Sequence, residues 1–487
     1  MKSNVQAAQT DSRSLLIGDE WLPGLEPPFE VVNPATGSSN GWVASASSRQ
    51  IDQAVAAAEA ASRVPAWRDM LPHRRAGLLR SIADRIDQNA SSLAELQMRE
   101  NGKIMRECIA QVASASATFR YYAGVCETIT GEVTPPRGPY LSLTHYQPYG
   151  VVAAVTPWNS PLTMVAQKLA PALAAGNAVV VKPSEVTPVC ALELGRLCLE
   201  AGAAPGLVNV VTGSAAAGRM LVEHPKVRMI TFTGGTHSGR AIARVAADRL
   251  VPVSLELGGK SPHIVFADAR QDDAIAGIVD GIFESSGQSC VAGSRLFVQR
   301  SIADAFIDKL VARTRSLKVD LPDTPGVEMG SIASFVHRQR IEAMVESARQ
   351  DNGHILAGGQ RPTAAHLAAG AFYLPTVIVG LTRDAKAVKE EIFGPVVCVL
   401  PFDDEDDLVE QANDTDYGLA AGIWTEDFRR AWRVATRIQA GTVWINTYKQ
   451  VSISTPFGGF KDSGIGREKG LQGLRIYQQP QGIYFGM

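Results

Sequence analysis

Apolar residues between positions 51 and 102 recur at the spacing of helical faces. The residues that share one such face are Leu78, Leu79, Ile82 and Ile86. Ser92 followed by Glu95 predicts a capping box at the start of the next helix, and Asn101-Gly102 predicts its end. We interpret this part of the chain as a helical scaffold.

From residue 150 onward, short β-rich runs alternate with segments of helical period. The first series reads GVVAAVTPW, AVVVKPSE, LVNVVTG, RMITFTGG and VPVSLELGG; a second, between about 260 and 446, includes LFVQRS, VVCVLPFD, LAAGIWT and GTVWINTY. Alternation of this kind predicts an α/β fold, with parallel sheets covered by helices and ligand sites at the carboxyl ends of the strands. Two series predict two α/β domains.

One further strand is predicted between the helical region and the first α/β series. The segment GPYLSLTHYQP alternates Leu141 and Leu143 with Ser142 and Thr144. A period of two is typical of a half-buried strand. No internal repeat and no low-complexity tract is visible along the chain.

The composition excludes several classes of partner. The 487 residues are 45% hydrophobic, which is enough for a large core, and 47 Lys and Arg face 49 Asp and Glu. Such a balance gives no strong field to gather nucleic acid or an anionic membrane. We therefore expect a small neutral or mixed-charge ligand, without nucleic-acid or membrane partners.

The start of the chain and the cysteines bear on the compartment. The first residues, MKSNVQAAQTDSRSLL, lack the basic region and the apolar core that make up a secretory signal. No run along the chain approaches the roughly 20 apolar residues of a spanning helix. We expect a cytoplasmic protein. No pair or cluster has disulfide or zinc spacing, so no metal site is predicted and each thiol is first taken as a buried apolar group. The cysteines are Cys108, Cys126, Cys190, Cys198, Cys290 and Cys398.

Two glycine-containing segments resemble phosphate-binding loops. MITFTGGTHSGR predicts a strand, a turn through Gly235 and Thr236, and a helix whose first N–H groups could face a pyrophosphate. It lacks the full G-x-G-x-x-G pattern, so a plain tight turn is an equal alternative. GGKS imitates the end of a P-loop, but Ser254 occupies the place of its first glycine, which excludes a nucleotide triphosphatase.

Cys290 lies in the segment ESSGQSCVAGSR, between Gly287 and Gly293. We interpret the small neighbours as a permissive loop around a reactive thiol. A cysteine hydrolase would pair this thiol with a histidine. The eight histidines show no local signature, although pairing in space stays open.

Six ordered segments change the reading of Cys290. They are PWN, VKPSE, LELGGK, GQSC, EEIFGP and PFGGFKDSGIGRE. With these segments the chain resembles the NAD(P)-dependent aldehyde dehydrogenase superfamily, from VVNPATG at 31–37 to the C-terminus. The resemblance implies a Rossmann-type parallel-sheet cofactor domain, an α/β catalytic domain and a small β oligomerisation element. Their expected residues are 1–124 with 149–259, 260–460, and 125–148 with 473–487.

The resemblance also implies the reaction. Cys290 would attack the aldehyde carbon, and the amide of Asn159 with the cysteine's own N–H would stabilise the oxyanion. Glu256 would activate the water that hydrolyses the resulting thioester to a free acid, whereas CoA-acylating relatives lack this carboxylate. Lys168 and Glu468 would relay protons or form a structural ion pair. A thiol-dependent esterase without nicotinamide and a catalytically silent scaffold are the competing hypotheses.

The implied cofactor is NAD, with NADP as the alternative. Lys182 and Glu185 would bind the adenosine ribose, and the Glu185 carboxylate would oppose a 2′-phosphate. Glu391 and Phe393 would hold the nicotinamide ribose, and Gly235 and Thr236 would lie beside the pyrophosphate. The full set of expected cofactor contacts is Trp158, Lys182, Glu185, Gly235, Thr236, Leu257, Glu391 and Phe393.

The substrate tunnel departs from relatives that line it with aromatic residues. The corresponding places here hold Ser160, Gln167, Glu284 and Val451, with Met164 and Phe457 retained. We expect a wider, more polar tunnel that favours a substrate able to form hydrogen bonds. Gln167 and Glu284 argue against an acidic semialdehyde, although Lys449 near the mouth offsets part of that charge. Aromatic, hydroxylated and cationic aldehydes stay open, and the family likeness implies a homodimer or homotetramer.

Overall fold

The structure is a computed structural model that describes residues 12–487. The first eleven residues, which include most of the polar start and the beginning of the predicted 1–124 segment, lie outside the described residues. Within the described part, the strands are β1 Ser12–Arg13, β2 Leu15–Ile17, β3 Glu20–Leu22, β4 Glu26–Val32, β5 Ser39–Ser45, β6 Glu132–Thr134, β7 Tyr140–Pro148, β8 Val151–Thr156, β9 Ala178–Pro183, β10 Val208–Val210, β11 Met229–Thr233, β12 Val253–Glu256, β13 Pro262–Val265, β14 Arg295–Gln299, β15 His354–Ala357, β16 Thr376–Val379, β17 Val396–Phe402, β18 Tyr417–Gly418, β19 Ala420–Trp424, β20 Thr442–Ile445, β21 Phe460–Lys461, β22 Gly464–Ile465 and β23 Gln478–Gly486.

The helices cover the sheets and follow the predicted apolar periods closely. Leu79, Ile82 and Ile86 are buried on one face of a long helix, and Leu78 lies at the margin of that face. The α-helices are α1 Ser48–Arg63, α2 Pro65–Arg68, α3 Pro72–Gln88, α4 Ala90–Asn101, α5 Met105–Thr128, α6 Pro161–Ala174, α7 Val189–Glu200, α8 Ala215–Glu223, α9 Thr236–Arg249, α10 Gln271–Phe283, α11 Ala303–Arg315, α12 Phe335–Gln350, α13 Lys386–Lys389, α14 Glu405–Asn413, α15 Phe428–Ala435 and α16 Gly470–Arg475.

The predicted capping box in α4 is wrong. The helix begins at Ala90, so Ser92 lies inside its first turn, and its hydroxyl donates to the carbonyl of Asn89 over 2.9 Å. Asn89 is both the C-cap of α3 and the N-cap of α4, which leaves no room for a cap at Ser92. The predicted end is confirmed, because Gly102 has a φ of 73°, where glycine meets no Cβ penalty.

The first α/β series forms an eight-stranded sheet in the order β22-β12-β11-β8-β9-β10-β2-β3. Strands β12, β11, β8, β9 and β10 pair in parallel, and the edge strands β22, β2 and β3 are antiparallel. The carboxyl ends of the parallel strands therefore meet at one edge. The prediction that the motifs share this edge is confirmed for the segments that follow β8, β9, β11 and β12.

The second series forms a seven-stranded sheet in the order β15-β16-β17-β14-β13-β19-β20. All its pairs are parallel except the edge pair of β15 with β16. The segment that contains Cys290 joins α10 to β14 in this sheet. Strand β22, contributed from Gly464–Ile465, pairs with β12 and so ties the C-terminal region to the first sheet.

A separate three-stranded antiparallel sheet has the order β23-β7-β6. Its strand β7 confirms the predicted strand. Leu141 is 41% exposed while Ser142 is buried. The hydroxyls of Ser142 and Thr134 hydrogen-bond over 2.5 Å, which compensates for the burial of the polar side chain. The apolar face of β7 is thus open, and the predicted domain boundaries stay predictions.

Two features bear on the expected compartment. Among residues 12–487, no helix is both long and apolar enough to traverse a bilayer. The six cysteines are all free thiols, and Cys290 is the one that is not fully buried.

Candidate active site

The segment around Cys290 is held by hydrogen bonds from several elements. The amide Nδ2 of Asn159, in the loop between β8 and α6, donates to the carbonyl of Gln288 over 3.0 Å. The side-chain oxygen of Gln288 accepts from the N–H of Ala333 over 2.9 Å. On the other side, the Tyr448 hydroxyl donates to the carbonyl of Val291 over 2.8 Å. The thiol therefore lies in a fixed segment that joins both large sheets.

The glycines that flank the thiol serve close packing. A Cβ at Gly287 would overlap the carbonyl of Gly394, and Gly287 has a φ of 73°. A Cβ at Gly293 would overlap the ring of His263. The interpretation of these neighbours as a permissive loop is therefore wrong, because both glycines are required by close approach of other groups.

Glu256 ends β12 and its side chain is buried. Within the described residues, neither carboxyl oxygen of Glu256 has a hydrogen-bond partner. Burial raises the pKa of this carboxyl well above its usual range, and the negative charge of Glu468 raises it further. A buried carboxyl without partners and with a raised pKa has the properties of a general base.

Lys168 on α6 and Glu468 form a buried ion pair behind Glu256. The Lys168 Nζ lies 2.6 Å from Glu468 Oε1 and donates also to the Thr231 hydroxyl over 3.0 Å. The Glu468 backbone is fixed by two hydrogen bonds with Phe457. Because the Glu468 charge acts on the pKa of Glu256, the structure brings these three predicted residues together.

The thiol of Cys290 is a weak acid in this state. Burial raises its pKa to about 12, and the charges of Glu391 and Glu256 contribute, while the ammonium of Lys469 lowers it. The thiol is therefore protonated at neutral pH. Since the thiolate is the nucleophilic form, reaction requires a nearby base. These mutual effects also place Cys290 close to Glu256.

The edge of the first sheet has groups suited to a dinucleotide. Thr236 begins α9 with Gly235 at its N-cap, and a Cβ at Gly235 would meet open space. The start of α9 is therefore uncrowded at Gly235, and the N-terminus of a helix favours a bound phosphate. The buried hydroxyls of Thr156 and Thr233, at the ends of β8 and β11, lack hydrogen-bond partners in the described structure. Such orphaned polar atoms at a carboxyl edge fit a bound polar ligand.

Lys182 and Glu185 lie further along the same edge. Lys182 Nζ is 3.4 Å from Glu185 Oε2. In the sheet register, Lys182 aligns with Val155, Val155 with Phe232, and Phe232 with Leu255. Three strand spacings of about 4.8 Å separate Lys182 from the strand of Glu256, roughly 14 Å in all. A ligand as long as a dinucleotide can bridge the two places.

The remaining predicted cofactor residues lie where segments of the two large sheets contact each other. The ring of Trp158 packs edge-to-face on Phe393, with ring centres 5.3 Å apart. Glu391 accepts from the N–H of Gly259 over 3.0 Å, and burial raises its pKa to about 7. Leu257 is buried directly after β12. The segment EEIFGP is therefore packed against PWN and LELGGK beside the thiol.

A cavity of about 330 Å³ opens beside the Cys290 segment. Its walls include the predicted Ser160, Gln167, Glu284 and Val451, while a tunnel wider and more polar than in relatives stays a prediction. Among the described residues Met164 and Phe457 do not contact this cavity directly, although the Phe457 ring centre lies 4.9 Å from the ammonium of Lys469 in its wall. The polar and charged wall residues that sequence reasoning missed include Lys103, Glu107, Gln111, Ser285, Gln288 and Lys469.

Some missed residues had a signal in the sequence and others had none. Lys469 directly follows Glu468, one position beyond the last recognised motif. Ser285 and Gln288 lie inside the segment quoted for Cys290. Lys103 and Glu107 come from the junction of α4 and α5, far from any motif, and only the packing of the helical scaffold on the site reveals them.

Comparisons with known proteins agree with this geometry. The family profile described as the aldehyde dehydrogenase family matches residues 21–483. A betaine aldehyde dehydrogenase of Mesorhizobium japonicum is 40% identical over 458 residues, which are 94% of this chain and 93% of that protein. Among solved structures, a putative aldehyde dehydrogenase from Burkholderia cenocepacia has a TM-score of 0.95 at 40% identity and covers 98% of both chains.

Two similar structures carry a bound cofactor. A betaine aldehyde dehydrogenase point mutant from Staphylococcus aureus, in complex with NAD+ and with a BME-modified cysteine, has a TM-score of 0.96 at 35% identity and covers 98% of both chains. The NAD+ complex of an aldehyde dehydrogenase from Bacillus cereus has a TM-score of 0.95 at 38% identity and covers 100% of this chain and 99% of that one. The sequence, the fold and the arrangement around Cys290 lead to one conclusion: the chain belongs to the aldehyde dehydrogenase family.

Proposed function

We propose that this enzyme oxidises an aldehyde to the carboxylic acid with NAD, with Cys290 as nucleophile and Glu256 as the base. One observation carries the proposal: a thiol of raised pKa lies beside a buried carboxyl without partners, and an amide donor is bonded to the thiol's own segment. The relatives with bound NAD+ support the cofactor. The esterase alternative has no support among them.

The first chemical step is addition of the thiol to the aldehyde. The proton of Cys290 passes to water or to Glu256, the sulfur forms a bond to the carbonyl carbon, and the carbonyl oxygen becomes an oxyanion. Asn159 Nδ2 and the N–H of Cys290 stabilise that oxyanion, and Asn159 exchanges its bond to the Gln288 carbonyl for this new acceptor. NAD, when bound, supplies the hydride acceptor.

The second step is hydrolysis of the thioester on Cys290. Glu256 removes a proton from water, the water oxygen attacks the acyl carbon, and the sulfur leaves as the thiolate. Glu468 with Lys168 would carry the excess proton away from Glu256; the alternative is a purely structural ion pair. The raised pKa of Glu256 favours proton uptake from a weak acid such as water.

NAD would bind along the edge of the first sheet. We propose that Lys182 and Glu185 hold the adenosine ribose, that Gly235 and Thr236 face the pyrophosphate, and that Glu391 and Phe393 hold the nicotinamide ribose. Trp158 and Leu257 would form the apolar floor between them. The orphaned hydroxyls and the open helix start at this edge support the assignment.

The choice of NAD over NADP should depend on Glu185. Its carboxylate is 54% exposed, so solvent screens its repulsion of a 2′-phosphate. We expect Glu185→Ser to raise the NADP to NAD ratio of kcat/KM by only about tenfold. Steady-state kinetics with both cofactors measure this ratio, with Glu200→Ser on α7 as the control. A wild-type enzyme that prefers NADP would contradict the assignment.

We propose a homo-oligomer, dimer or tetramer, built through the three-stranded sheet. Apolar side chains on this sheet lie open, including Leu141 and Phe485, with exposures of 41% and 53%. Light scattering should give a multiple of the chain mass, and Leu141→Asp with Phe485→Asp should shift it toward the monomer. An unchanged mass would place the interface elsewhere. A cytoplasmic location also stays a proposal, supported by the free thiols.

The proposed reaction is tested by a panel of polar, aromatic and aliphatic aldehydes, and of the corresponding carboxylic esters, with NAD or NADP. Formation of the reduced cofactor is followed by absorbance, and the product is identified as acid or ester hydrolysate. Aldehyde-dependent reduction of NAD with release of free acid is the expected result. Ester hydrolysis without any cofactor reduction would favour the esterase instead.

A further inference from the structure

Lys469 lies on the wall of the substrate cavity, directly before α16. Its backbone has φ 60° and ψ 171°, a conformation that glycine adopts readily and other residues rarely. Its ammonium lies 4.9 Å from the ring centre of Phe457, and in the described structure it donates no hydrogen bond. A strained backbone therefore holds a cation with unused donors on the cavity wall.

The other two lysines of the wall are satisfied by neighbours. Lys103 Nζ donates to the Ser285 hydroxyl over 2.7 Å, and the same hydroxyl donates to the Glu107 carboxylate. Lys449 Nζ lies 3.2 Å from Glu284 Oε2. Their charges are thus balanced within the wall. Among the described cations of the cavity, Lys469 alone has no acceptor, since the adjacent Glu468 pairs with Lys168.

Lys469 acts at the inner end of the cavity. Burial lowers its pKa, and the charges of Glu468, Cys290 and Glu256 oppose that shift, so its ammonium lies near the thiol that receives the aldehyde. The pair of Glu284 with Lys449 marks the outer end, because the Glu284 side chain is 44% exposed. Since Lys469 lines the cavity and its charge also acts on the thiol, a substituent on the first carbon beyond the carbonyl would lie close to its ammonium.

We propose that Lys469 selects aldehydes that carry an oxygen substituent on the carbon next to the carbonyl. A hydroxyl, keto or carboxylate oxygen there would accept the free N–H bonds of the ammonium, which charge makes stronger than neutral hydrogen bonds. The inference rests on the proposed aldehyde oxidation and names the substrate class of that site. It also predicts discrimination against a cationic substituent at the same carbon.

The relative at 40% identity is named for betaine aldehyde, which carries a cationic substituent at this carbon. Its quaternary ammonium is attached next to the carbonyl and would approach the unpaired Lys469. Recognition of a quaternary ammonium calls for open aromatic faces. The nearby face of Phe457 is already covered by the Lys469 ammonium, and in the described chain no aromatic side chain lines the cavity. We expect betaine aldehyde to be a poor substrate.

The test compares kcat/KM with NAD for propanal, 2-hydroxypropanal, glyoxylate and betaine aldehyde. The wild-type enzyme should prefer 2-hydroxypropanal and glyoxylate over propanal. Lys469→Met should reduce both preferences by about tenfold or more, the worth of a hydrogen bond to a charged group. The kcat/KM for betaine aldehyde should rise relative to that for propanal in the same variant. If the Lys469→Met change reduces only the preference for glyoxylate, the inference holds for aldehydes with an anionic substituent at this carbon.

Controls separate this inference from folding and from the proposed function. Glycine tolerates the backbone conformation at 469, so Lys469→Gly should fold and show the same losses even if the methionine variant does not. Lys226→Met removes an exposed ammonium that pairs with Glu59, and should leave every ratio unchanged. Ratios that stay within twofold of wild type in both Lys469 variants would overturn the inference. If the wild-type enzyme reduces NAD with none of these four aldehydes, that result would instead overturn the proposed function.

Discussion

Replacing Cys290 by alanine should lower aldehyde-dependent reduction of NAD by about 10⁴-fold or more, as removal of a covalent nucleophile commonly does. Without the sulfur, the aldehyde carbon stays planar and has no route to a tetrahedral adduct. Asn159 would keep its hydrogen bond to the carbonyl of Gln288, since that bond uses only backbone atoms of the segment. The fold should therefore survive the change, and initial rates of NADH formation measure the loss.

The matched control for this variant is Cys198→Ala. Cys198 is a fully buried thiol in α7, so its removal tests the general effect of losing a cysteine. We expect its turnover to stay within about twofold of wild type, since small core truncations remote from a site mainly affect stability. Undiminished aldehyde oxidation by Cys290→Ala would rule out covalent catalysis by this thiol.

Replacing Glu256 by glutamine should separate the two chemical steps. Glutamine has nearly the same shape but cannot accept a proton, so steady-state turnover should fall by about 10²- to 10⁴-fold. If the carboxyl acts mainly on water, each active site should still release one equivalent of NADH in a rapid burst. Stopped-flow absorbance measures the burst, and its amplitude counts the acylated sites.

A buried carboxyl elsewhere provides the control. Glu100 on α4 is buried and accepts the N–H groups of Val189 and Cys190 over 2.7 and 3.0 Å. Glu100→Gln retains one acceptor oxygen and should keep both burst and turnover near wild-type values. Full steady-state activity of Glu256→Gln would show that another group activates the water. Loss of the burst together with turnover would assign Glu256 to thiol activation as well.

The sequence predicted the elements that carry strong periodic patterns. Helix α3 and the strands of both large sheets agree with their apolar spacing, because burial of one face decides those segments. The side of β7 that is buried could not be predicted. Alternation of Leu141 with Ser142 defines two faces but does not say which face the rest of the chain covers, and a hydrogen bond to Thr134 stabilises the buried serine.

The candidate site was predictable where motifs carry it. The resemblance named Cys290, Glu256 and Asn159, and the structure brings their segments together. The close packing of Gly287 and Gly293 could not be inferred, since the contacts come from Gly394 and His263, distant in sequence. The pairing of charges on the cavity wall could not be predicted from the sequence either. It depends on Lys103 and Glu107 from the helical scaffold and on the unusual backbone conformation of Lys469.

The central claim is that the acyl group passes through a covalent bond to the sulfur of Cys290. The most direct measurement is mass spectrometry of the Glu256→Gln enzyme, quenched in acid after one turnover with propanal and NAD, then digested. We predict a mass increase of one propanoyl group on the peptide that contains Cys290. A burst of NADH that leaves this peptide unmodified, or an acyl group on any other residue, would contradict the account.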